Sequence, residues 1–248
     1  MLTEKRQEEI LRLLDSKGSV TVQELTELLH TSESTIRRDL NILDRKKLLV
    51  KVFGGAVLAE QTLNVREDKV SIRSERNLNE KTLIGRHAAS LIEPEDFVFL
   101  DAGTTTGCMI PFLTEPTASY ITNAVSHALK LAEKGFHVTL IGGEVKSSTE
   151  AIVGNEAYAN LQKYYFTKCF LGANGVSHFS GFTTPDVSEA MIKECAIKHS
   201  RTSYILCDHT KFHQIAPVNF ACFDSAVIIT DKIPSKEYSN TSNIKVAE

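Results

Sequence analysis

Residues 32–40 read Ser-Glu-Ser-Thr-Ile-Arg-Arg-Asp-Leu, and this stretch decides how the first part of the chain folds. It follows the amphipathic run 22–29 after a turn of only a few residues. Two short helices at that spacing, the second opening with hydroxyl and guanidinium groups, are the arrangement that a helix-turn-helix uses to read a DNA groove. The stretch therefore predicts a DNA-binding element near the amino end of the chain.

The flanking residues predict the other helices of the same element. Residues 3–16 carry an apolar stripe among charged residues, which is typical of an amphipathic helix. Thr21 and Glu24 have the spacing of a capping box, in which a hydroxyl and a carboxylate each satisfy a free backbone N–H at the start of a second helix. Ser32 is the expected N-cap of the third helix, which is the predicted recognition helix.

A hairpin and a local excess of positive charge follow. The apolar runs 48–53 and 56–58 flank Gly54-Gly55, a two-residue hairpin signal, so we expect a winged variant. Residues 33–51 contain six cations and three anions, a balance of +3 in a chain whose net charge is −3. The alternative interpretation is a solvated helix face with ordinary ion pairs. Because cap, turn, charge and wing agree, we favour DNA binding through Ser32, Ser34, Thr35, Arg37, Arg38, Lys46, Lys47 and Lys51.

Composition excludes several other classes of protein. The 248 residues are 42% hydrophobic, which is enough for a sizeable core, but no apolar stretch reaches the roughly 20 residues of a membrane span. The five cysteines are odd in number and never form a Cys-x-x-Cys pair, and the histidines show no ligand spacing, so we expect neither a disulfide framework nor a metal site. A cytoplasmic protein without a cofactor or a membrane partner is the expectation.

Beyond residue 58 the chain changes character. Residues 1–58 form the predicted winged helix-turn-helix domain, residues 59–76 are mixed in charge and predict a linker, and residues 77–248 form a second domain. In that domain short apolar runs alternate with helix-like segments, which predicts an α/β fold with a mostly parallel sheet. Residues 244–246 are a candidate last edge strand. The main predicted strands are 97–100, 119–121, 138–141, 169–171, 204–207 and 226–229.

Polar, glycine-rich loops follow several of these predicted strands. Because the carboxyl ends of parallel strands lie at one edge of the sheet, the loops are expected to converge on one crevice, where open α/β folds bind ligands. Any single loop of this kind is more often a plain turn or cap, and the convergence favours a ligand site. The loops are 101–106, 122–123, 142–144, 172–175 and 208–211.

The chemistry of these loops suits a phosphorylated polyol. Gly103 allows backbone N–H groups to approach an anion, and the three threonines after it supply hydroxyl donors. Carboxylates and amides accept hydrogen bonds from sugar hydroxyls, and lysines neutralise a phosphate. The predicted effector-binding residues are Asp101, Gly103, Thr104, Thr105, Thr106, Thr122, Asn123, Gly143, Asn174, Glu189, Lys193, Asp208 and Lys211.

These motifs resemble the DeoR family of bacterial transcriptional regulators over nearly the whole chain. The resemblance implies a winged helix-turn-helix joined to an effector domain with the fold of ribose-phosphate isomerases and coenzyme A transferases. It also implies a repressor of a sugar operon that a sugar phosphate releases from DNA. The matching residues are 32–40, Gly54-Gly55-Ala56, Asp101, Gly103-Thr104-Thr105, Thr122-Asn123, Gly142-Gly143, Gly172, Gly175, Glu189-Ala190, Lys193, Asp208 and Lys211-Phe212.

Within this family, residues 32–40 look most like repressors of fructose operons, which implies fructose 1-phosphate as the effector. Repressors that respond to tagatose 6-phosphate or glycerol 3-phosphate share most of these residues. The chain departs from the family pattern at His213, where glycine is common, and at Thr210, where serine is usual.

The expected protein is therefore not an enzyme but a repressor that binds operator DNA as a homodimer or homotetramer, because one recognition helix reads few base pairs. A competing hypothesis is a sugar-phosphate isomerase fused to a DNA-binding module, with Glu189 or Asp101 as the general base. A third is an oligomerising scaffold without a ligand.

Overall fold

The structure is a computed structural model of the chain, and it describes residues 3–46, 48–58, 70–178, 180–235, 238–239 and 241–248. The chain divides into two compact units, Met1–Leu63 and Asn64–Glu248. Residues 59–69 of the predicted linker lie outside the described residues. Residues 70–76, the rest of that linker, belong to the second unit.

The first unit is a winged helix-turn-helix. Its three strands form an antiparallel sheet in the order β1-β3-β2. Its core is aliphatic, with Ile10, Leu25, Ile36 and Leu40 fully buried. The elements are α1 (Thr3–Lys17), β1 (Ser19–Thr21), α2 (Val22–Leu28), α3 (Glu33–Arg45), β2 (Leu49–Val52) and β3 (Gly55–Leu58).

Both predicted helix caps are present. The backbone N–H of Glu24 donates to Thr21 Oγ1 at 3.0 Å, and the Glu24 carboxylate accepts from the Thr21 backbone N–H, which completes the capping box. At α3, the Ser32 hydroxyl accepts from the backbone N–H of Thr35. These bonds satisfy amide groups that the first turn of a helix leaves unpaired, and so they set where α2 and α3 begin.

The hairpin turn differs from the prediction by one residue. The turn consists of Phe53 and Gly54, and Gly55 already lies in β3, where it pairs with Val52 and with Thr21. Gly54 provides the positive φ, +81°, that the turn needs. A Cβ atom on Gly55 would lie 2.1 Å from the Val20 carbonyl oxygen, so this glycine permits the close approach of β1, a strand that the sequence did not predict.

The second unit is an α/β domain around a large sheet. Its helices are α4 (Val70–Glu75), α5 (Leu78–Ala89), α6 (Thr104–Gly107), α7 (Val125–Glu133), α8 (Gly154–Leu161) and α9 (Val187–Lys198). Its strands are β4 (Phe97–Leu100), β5 (Ser119–Thr122), β6 (His137–Leu140), β7 (Glu144–Lys146), β8 (Ala151–Val153), β9 (Phe166–Gly172), β10 (Gly175–Ser177), β11 (Gly181–Thr184), β12 (Ser200–Leu206), β13 (Val218–Ala221), β14 (Val227–Thr230) and β15 (Ile244–Val246).

The large sheet has seven strands in the order β15-β14-β12-β9-β4-β5-β6, and every neighbouring pair is parallel. This confirms the predicted parallel α/β fold, including the edge strand at 244–246. Two smaller antiparallel sheets, β7-β8 and β10-β11-β13, were not predicted. Their strands have three or four residues each, too short to show a clear period.

The large sheet is covered on both faces. On β4, Val98 and Leu100 pack into one apolar cluster and Phe99 packs into another, as expected for side chains that alternate across a strand. Burial of both faces is normal for parallel sheets and confines ligand contacts to the strand ends. In the part of the chain that the structure describes, no helix is long and apolar enough to cross a membrane.

Candidate functional site

An open pocket lies at the carboxyl edge of the large sheet. Loops that follow β4, β9 and β12 line it together with residues from α4, α5 and α9, and its empty space is about 700 Å³ when counted out to the open mouth. Nine of the thirteen predicted effector-binding residues line this pocket. They are Asp101, Gly103, Thr104, Thr105, Asn174, Glu189, Lys193, Asp208 and Lys211.

A buried ion pair joins two of these residues. Lys193 Nζ contacts Asp101 Oδ2, and both side chains are less than one tenth exposed. Asp101 Oδ2 also accepts from the Gly172 backbone N–H at 3.1 Å, and Lys193 Nζ donates to the Gly172 carbonyl at 3.0 Å. The loops after β4 and β9 and the middle of α9 are therefore tied together at one point, as the parallel topology predicts for strand ends.

A second carboxylate, Asp208, organises the loop after β12. Its Oδ1 atom accepts from the Thr210 backbone N–H at 3.0 Å, from the Thr210 hydroxyl and from Asn77 Nδ2 at 3.1 Å. The hydroxyl of Thr210 therefore contacts Asp208 from a position where serine is usual in the family. His213 has a φ of +59°, in the left-handed region that favours glycine, which gives a physical reason for glycine at that position in the family.

The Glu189 carboxylate is held by three neighbours. It accepts from the Thr149 hydroxyl at 2.7 Å, from Lys146 Nζ at 3.2 Å and from the Thr184 hydroxyl at 3.4 Å. Lys146 and Thr149 belong to β7 and to the turn before β8, respectively. Glu189 therefore joins the small β7-β8 hairpin to the start of α9 at the pocket wall.

The other four predicted residues lie outside the pocket lining and support its loops. The Thr106 hydroxyl donates to the carbonyls of Asp101 and Gly103, and the Thr122 hydroxyl donates to the Leu100 carbonyl at 2.6 Å. Asn123 Oδ1 accepts from the Ala102 backbone N–H at 3.0 Å. A Cβ atom on Gly143 would lie 2.8 Å from the Val153 carbonyl oxygen, so this glycine serves close packing.

Three cationic residues that the sequence did not predict also line the pocket: Arg73 of α4, Arg76 directly after α4, and Lys81 of α5. Lys81 is 4% exposed, and its Nζ donates to the Arg73 carbonyl oxygen. Burial lowers the pKa of the Lys81 amine, and the nearby Asp208 carboxylate opposes this shift. The available signal was a lysine on the buried stripe of α5, three residues before Ile84.

In the first unit, the predicted DNA-binding residues surround the exposed side of α3. Arg37 and Arg38 are exposed. Arg37 Nε donates to Glu33 at 2.9 Å, whereas Arg38 forms no ion pair with any described residue. Arg6 Nε and Asp39 Oδ2 form a buried ion pair at 2.6 Å, so Asp39 ties α1 to α3 and does not face solvent.

The remaining predicted contacts lie near the two ends of α3. The hydroxyls of Ser32, Ser34 and Thr35 cluster at its start, with Ser32 Oγ 3.0 Å from Ser34 Oγ and 2.9 Å from Thr35 Oγ1. At the other end, Lys46 is exposed, Lys51 Nζ donates to Asn41 Oδ1 at 2.7 Å, and Lys47 lies outside the described residues. The sequence reasoning missed the fully exposed ring of Phe53 at the tip of the wing.

Over the described ranges, no group of three or more His, Cys, Asp or Glu side chains is placed to hold a metal ion. The described cysteines, Cys108, Cys169, Cys195, Cys207 and Cys222, are all free thiols. Burial raises the pKa of the Cys169 and Cys195 thiols, which keeps them protonated.

Comparison with known proteins matches both units to described domains. Residues 6–62 match the DeoR-like helix-turn-helix domain, and residues 76–232 match the DeoR C-terminal sensor domain. An uncharacterized HTH-type transcriptional regulator FruR of Bacillus subtilis is 39% identical over 252 residues, covering 100% of both chains. A lactose phosphotransferase system repressor of Staphylococcus aureus is 38% identical, covering 84% of this chain and 83% of its own.

Among solved structures, ribose 5-phosphate isomerase A of Methanocaldococcus jannaschii is similar over 55% of each chain, with a TM-score of 0.40 and 14% sequence identity. At that level of similarity the comparison carries no statement about activity.

Proposed function

Since the chain belongs to the DeoR family of transcriptional regulators, we propose that it represses a sugar-utilisation operon and leaves its operator when a phosphorylated sugar binds the pocket. Fructose 1-phosphate is the proposed effector. The relative from Staphylococcus aureus is named as a repressor of the lactose phosphotransferase system, which supports a role in sugar metabolism. The proposed site of action is the cytoplasm.

The single observation that carries this proposal is the pairing of a cation cluster with carboxylates in one pocket. Arg73, Lys81 and Lys211 are close enough that the charges of Arg73 and Lys211 contribute to lowering the pKa of Lys81, after the larger effect of burial. Neither the Arg73 guanidinium nor the Lys211 amine forms an ion pair with another described side chain. A phosphate group, with a charge of about −1.5 to −2, would relieve the repulsion among these cations.

The same pocket also contains groups that suit sugar hydroxyls. The Asp101 and Asp208 carboxylates and the Asn174 side chain are hydrogen-bond acceptors that line it. A sugar phosphate has an anion at one end and hydroxyl donors along its length, so it matches both the cations and these acceptors. A dicarboxylate or an unphosphorylated sugar matches only one of them.

The proposed DNA contacts follow from α3. Arg38 is exposed and unpaired within the described residues, so its guanidinium is available for a phosphate or a guanine edge. Arg37 would exchange its bond to Glu33 for a bond to DNA. Because one such helix covers a short site, we propose a homodimer or homotetramer that binds two half-sites.

The test is a titration of operator binding. DNA that the purified protein selects from a random pool serves as the operator, and affinity is measured with fructose 1-phosphate, tagatose 6-phosphate, glycerol 3-phosphate, inorganic phosphate and unphosphorylated fructose. A coupling free energy of about 1–3 kcal/mol predicts that one sugar phosphate weakens binding roughly 5- to 150-fold, whereas fructose has no effect. Unchanged affinity with every compound would contradict the proposal. Isomerase turnover of the same compounds would favour the competing enzyme.

Loss of the Arg38 guanidinium gives the matching test on the DNA side. The variant Arg38→Ala is expected to weaken operator binding and to reduce the slope of log affinity against log salt by about 1, if the side chain contacts a phosphate. Arg201→Ala, an exposed arginine on β12, is the control. An Arg38→Ala variant with wild-type affinity and salt dependence would show that α3 is not the recognition helix.

A further inference from the structure

The wall of the sensor pocket includes the helix through which the chain arrives from the DNA-binding unit. In the sequence, β3 of the first unit ends at Leu58 and α4 begins at Val70. Arg73 and Arg76, in and just after α4, line the pocket. A ligand in this pocket therefore touches residues of the segment that leads to the first unit.

Among the described residues, little of the α4 surface is buried. The helix has six residues and none of them is buried, and Ile72 is half exposed. The Val70 backbone N–H donates to the Ser148 carbonyl at 3.0 Å, and Lys81 Nζ donates to the Arg73 carbonyl. A short helix with little buried apolar surface belongs to the least stable parts of a fold, so small changes in polar contacts are able to move it.

Lys81 connects this helix to the pocket. Its ammonium group has three donors, and the described residues accept from one of them, at the Arg73 carbonyl. The nearby Asp208 carboxylate favours the charged form of this amine, whereas the charges of Lys211 and Arg73 oppose it. An anion in the pocket would therefore contact the Lys81 amine, which already donates to the Arg73 carbonyl near the end of α4.

The Ser148 contact gives α4 a second link to the pocket. Ser148 lies in the turn between β7 and β8, directly before Thr149, whose hydroxyl donates to Glu189 at 2.7 Å. Both Thr149 and Glu189 line the pocket. The two ends of α4 are therefore attached to two different groups of pocket residues.

We propose that the anionic group of the effector binds between Arg73, Lys81 and Lys211 and thereby fixes α4 against the sensor domain, so that this helix transmits pocket occupancy to the DNA-binding unit. The inference rests on the proposed function, since it requires a phosphorylated ligand in this pocket. Arg73 contacts the ligand from α4. Lys81 contacts the ligand as well, and its bond to the Arg73 carbonyl joins the ligand to this helix.

The experiment separates ligand binding from transmission. For the full chain, fructose 1-phosphate binding is measured by calorimetry, and operator affinity is measured without ligand and at saturating ligand. Arg73→Gln and Lys81→Met are compared with Arg201→Gln, an exposed control on β12. We expect both pocket variants to bind fructose 1-phosphate at least about tenfold more weakly than wild type and the control. The release ratio, which is the operator affinity without ligand divided by the operator affinity at saturating ligand, should fall towards 1.

Hydrogen exchange provides a second measurement, which uses wild type and Arg73→Gln and does not depend on the folding of Lys81→Met. In wild type, fructose 1-phosphate, and inorganic phosphate more weakly, should slow amide exchange of residues 70–75, and Arg73→Gln should lose this protection. If wild type responds but Arg73→Gln keeps the full release ratio at saturation, or if ligand leaves exchange of α4 unchanged, the inference is overturned. If no sugar phosphate binds or releases wild type, the proposed function itself fails.

Discussion

The two ends of β4 carry the same pair of charges with different surroundings. At the amino end, Lys168 Nζ contacts Asp96 Oδ2 at 2.7 Å, Glu93 at 2.6 Å and the Leu91 carbonyl at 2.8 Å. All three donors of this lysine are used. At the carboxyl end, Lys193 contacts Asp101 and the Gly172 carbonyl, and the pair lines an open pocket.

The difference follows from strand direction. In a parallel sheet the loops that leave the carboxyl ends gather at one edge, and their polar side chains meet there. At the amino end, burial alone would raise the pKa of Asp96, but hydrogen bonds from Lys168, Thr167 and the Glu93 backbone outweigh it and lower the pKa. The Lys168–Asp96 pair is thus a closed structural link, whereas the Lys193–Asp101 pair leaves one lysine donor and open space for a ligand.

The largest effect on stability is expected when the closed Lys168–Asp96 pair is broken. In Asp96→Ala, the Lys168 amine loses its buried partner, and removal of one member of a buried ion pair costs about 3–5 kcal/mol of the free energy of unfolding. Urea denaturation measures this loss. The affinity of the folded protein for fructose 1-phosphate should not change, because Asp96 lies at the opposite end of β4. A large loss of ligand affinity with unchanged stability would show that the Lys168–Asp96 pair serves ligand binding and not the fold.

The next effect concerns a buried histidine beside the carboxyl end. Burial lowers the pKa of His127 to about 4, and this effect exceeds the opposing attraction of the Asp101 charge. The unfolded chain therefore binds more protons than the folded one between about pH 6.5 and pH 4, so stability falls as the pH falls through this window. A shift of this size amounts to about 3 kcal/mol.

The pH prediction is measured by urea denaturation of wild type and His127→Gln at pH 6.5 and pH 4. Other groups also titrate in this range, so the informative quantity is the difference between the two proteins. Wild type should lose more stability than His127→Gln. An equal loss in both would show that the buried imidazole does not control the acid sensitivity of this end of the sheet.

The smallest effect on stability is expected at the pocket itself. Lys211 is partly exposed and forms no ion pair with a described side chain, so Lys211→Gln should change the free energy of unfolding by less than about 0.5 kcal/mol. Loss of a charge-assisted hydrogen bond should still cost about 1.5–3 kcal/mol of effector binding. Calorimetry checks this, with Lys163→Gln, an exposed lysine two residues after the end of α8, as the control. Equal effector affinity of Lys211→Gln and Lys163→Gln would show that Lys211 does not contact the effector.

The sequence predicts the elements whose signals are local. The caps at Thr21 and Ser32 and the main parallel strands need only spacing and apolar runs, and the convergence of loops follows from parallel topology alone. The sequence does not predict the Arg6–Asp39 pair, because its partners are 33 residues apart. Lys81 and Arg73 were missed for a related reason: their role depends on how α4 packs beside loops that are distant in the sequence.

The most direct test asks whether the pocket governs operator binding. Fluorescence anisotropy of labelled operator DNA is measured with wild type and Asp101→Asn, each with and without fructose 1-phosphate. We predict that both proteins bind operator with equal affinity without ligand. With ligand, wild type should lose affinity roughly 5- to 150-fold, which corresponds to a coupling free energy of about 1–3 kcal/mol, and Asp101→Asn should lose none. Release of Asp101→Asn by the same ligand concentration as wild type would contradict it.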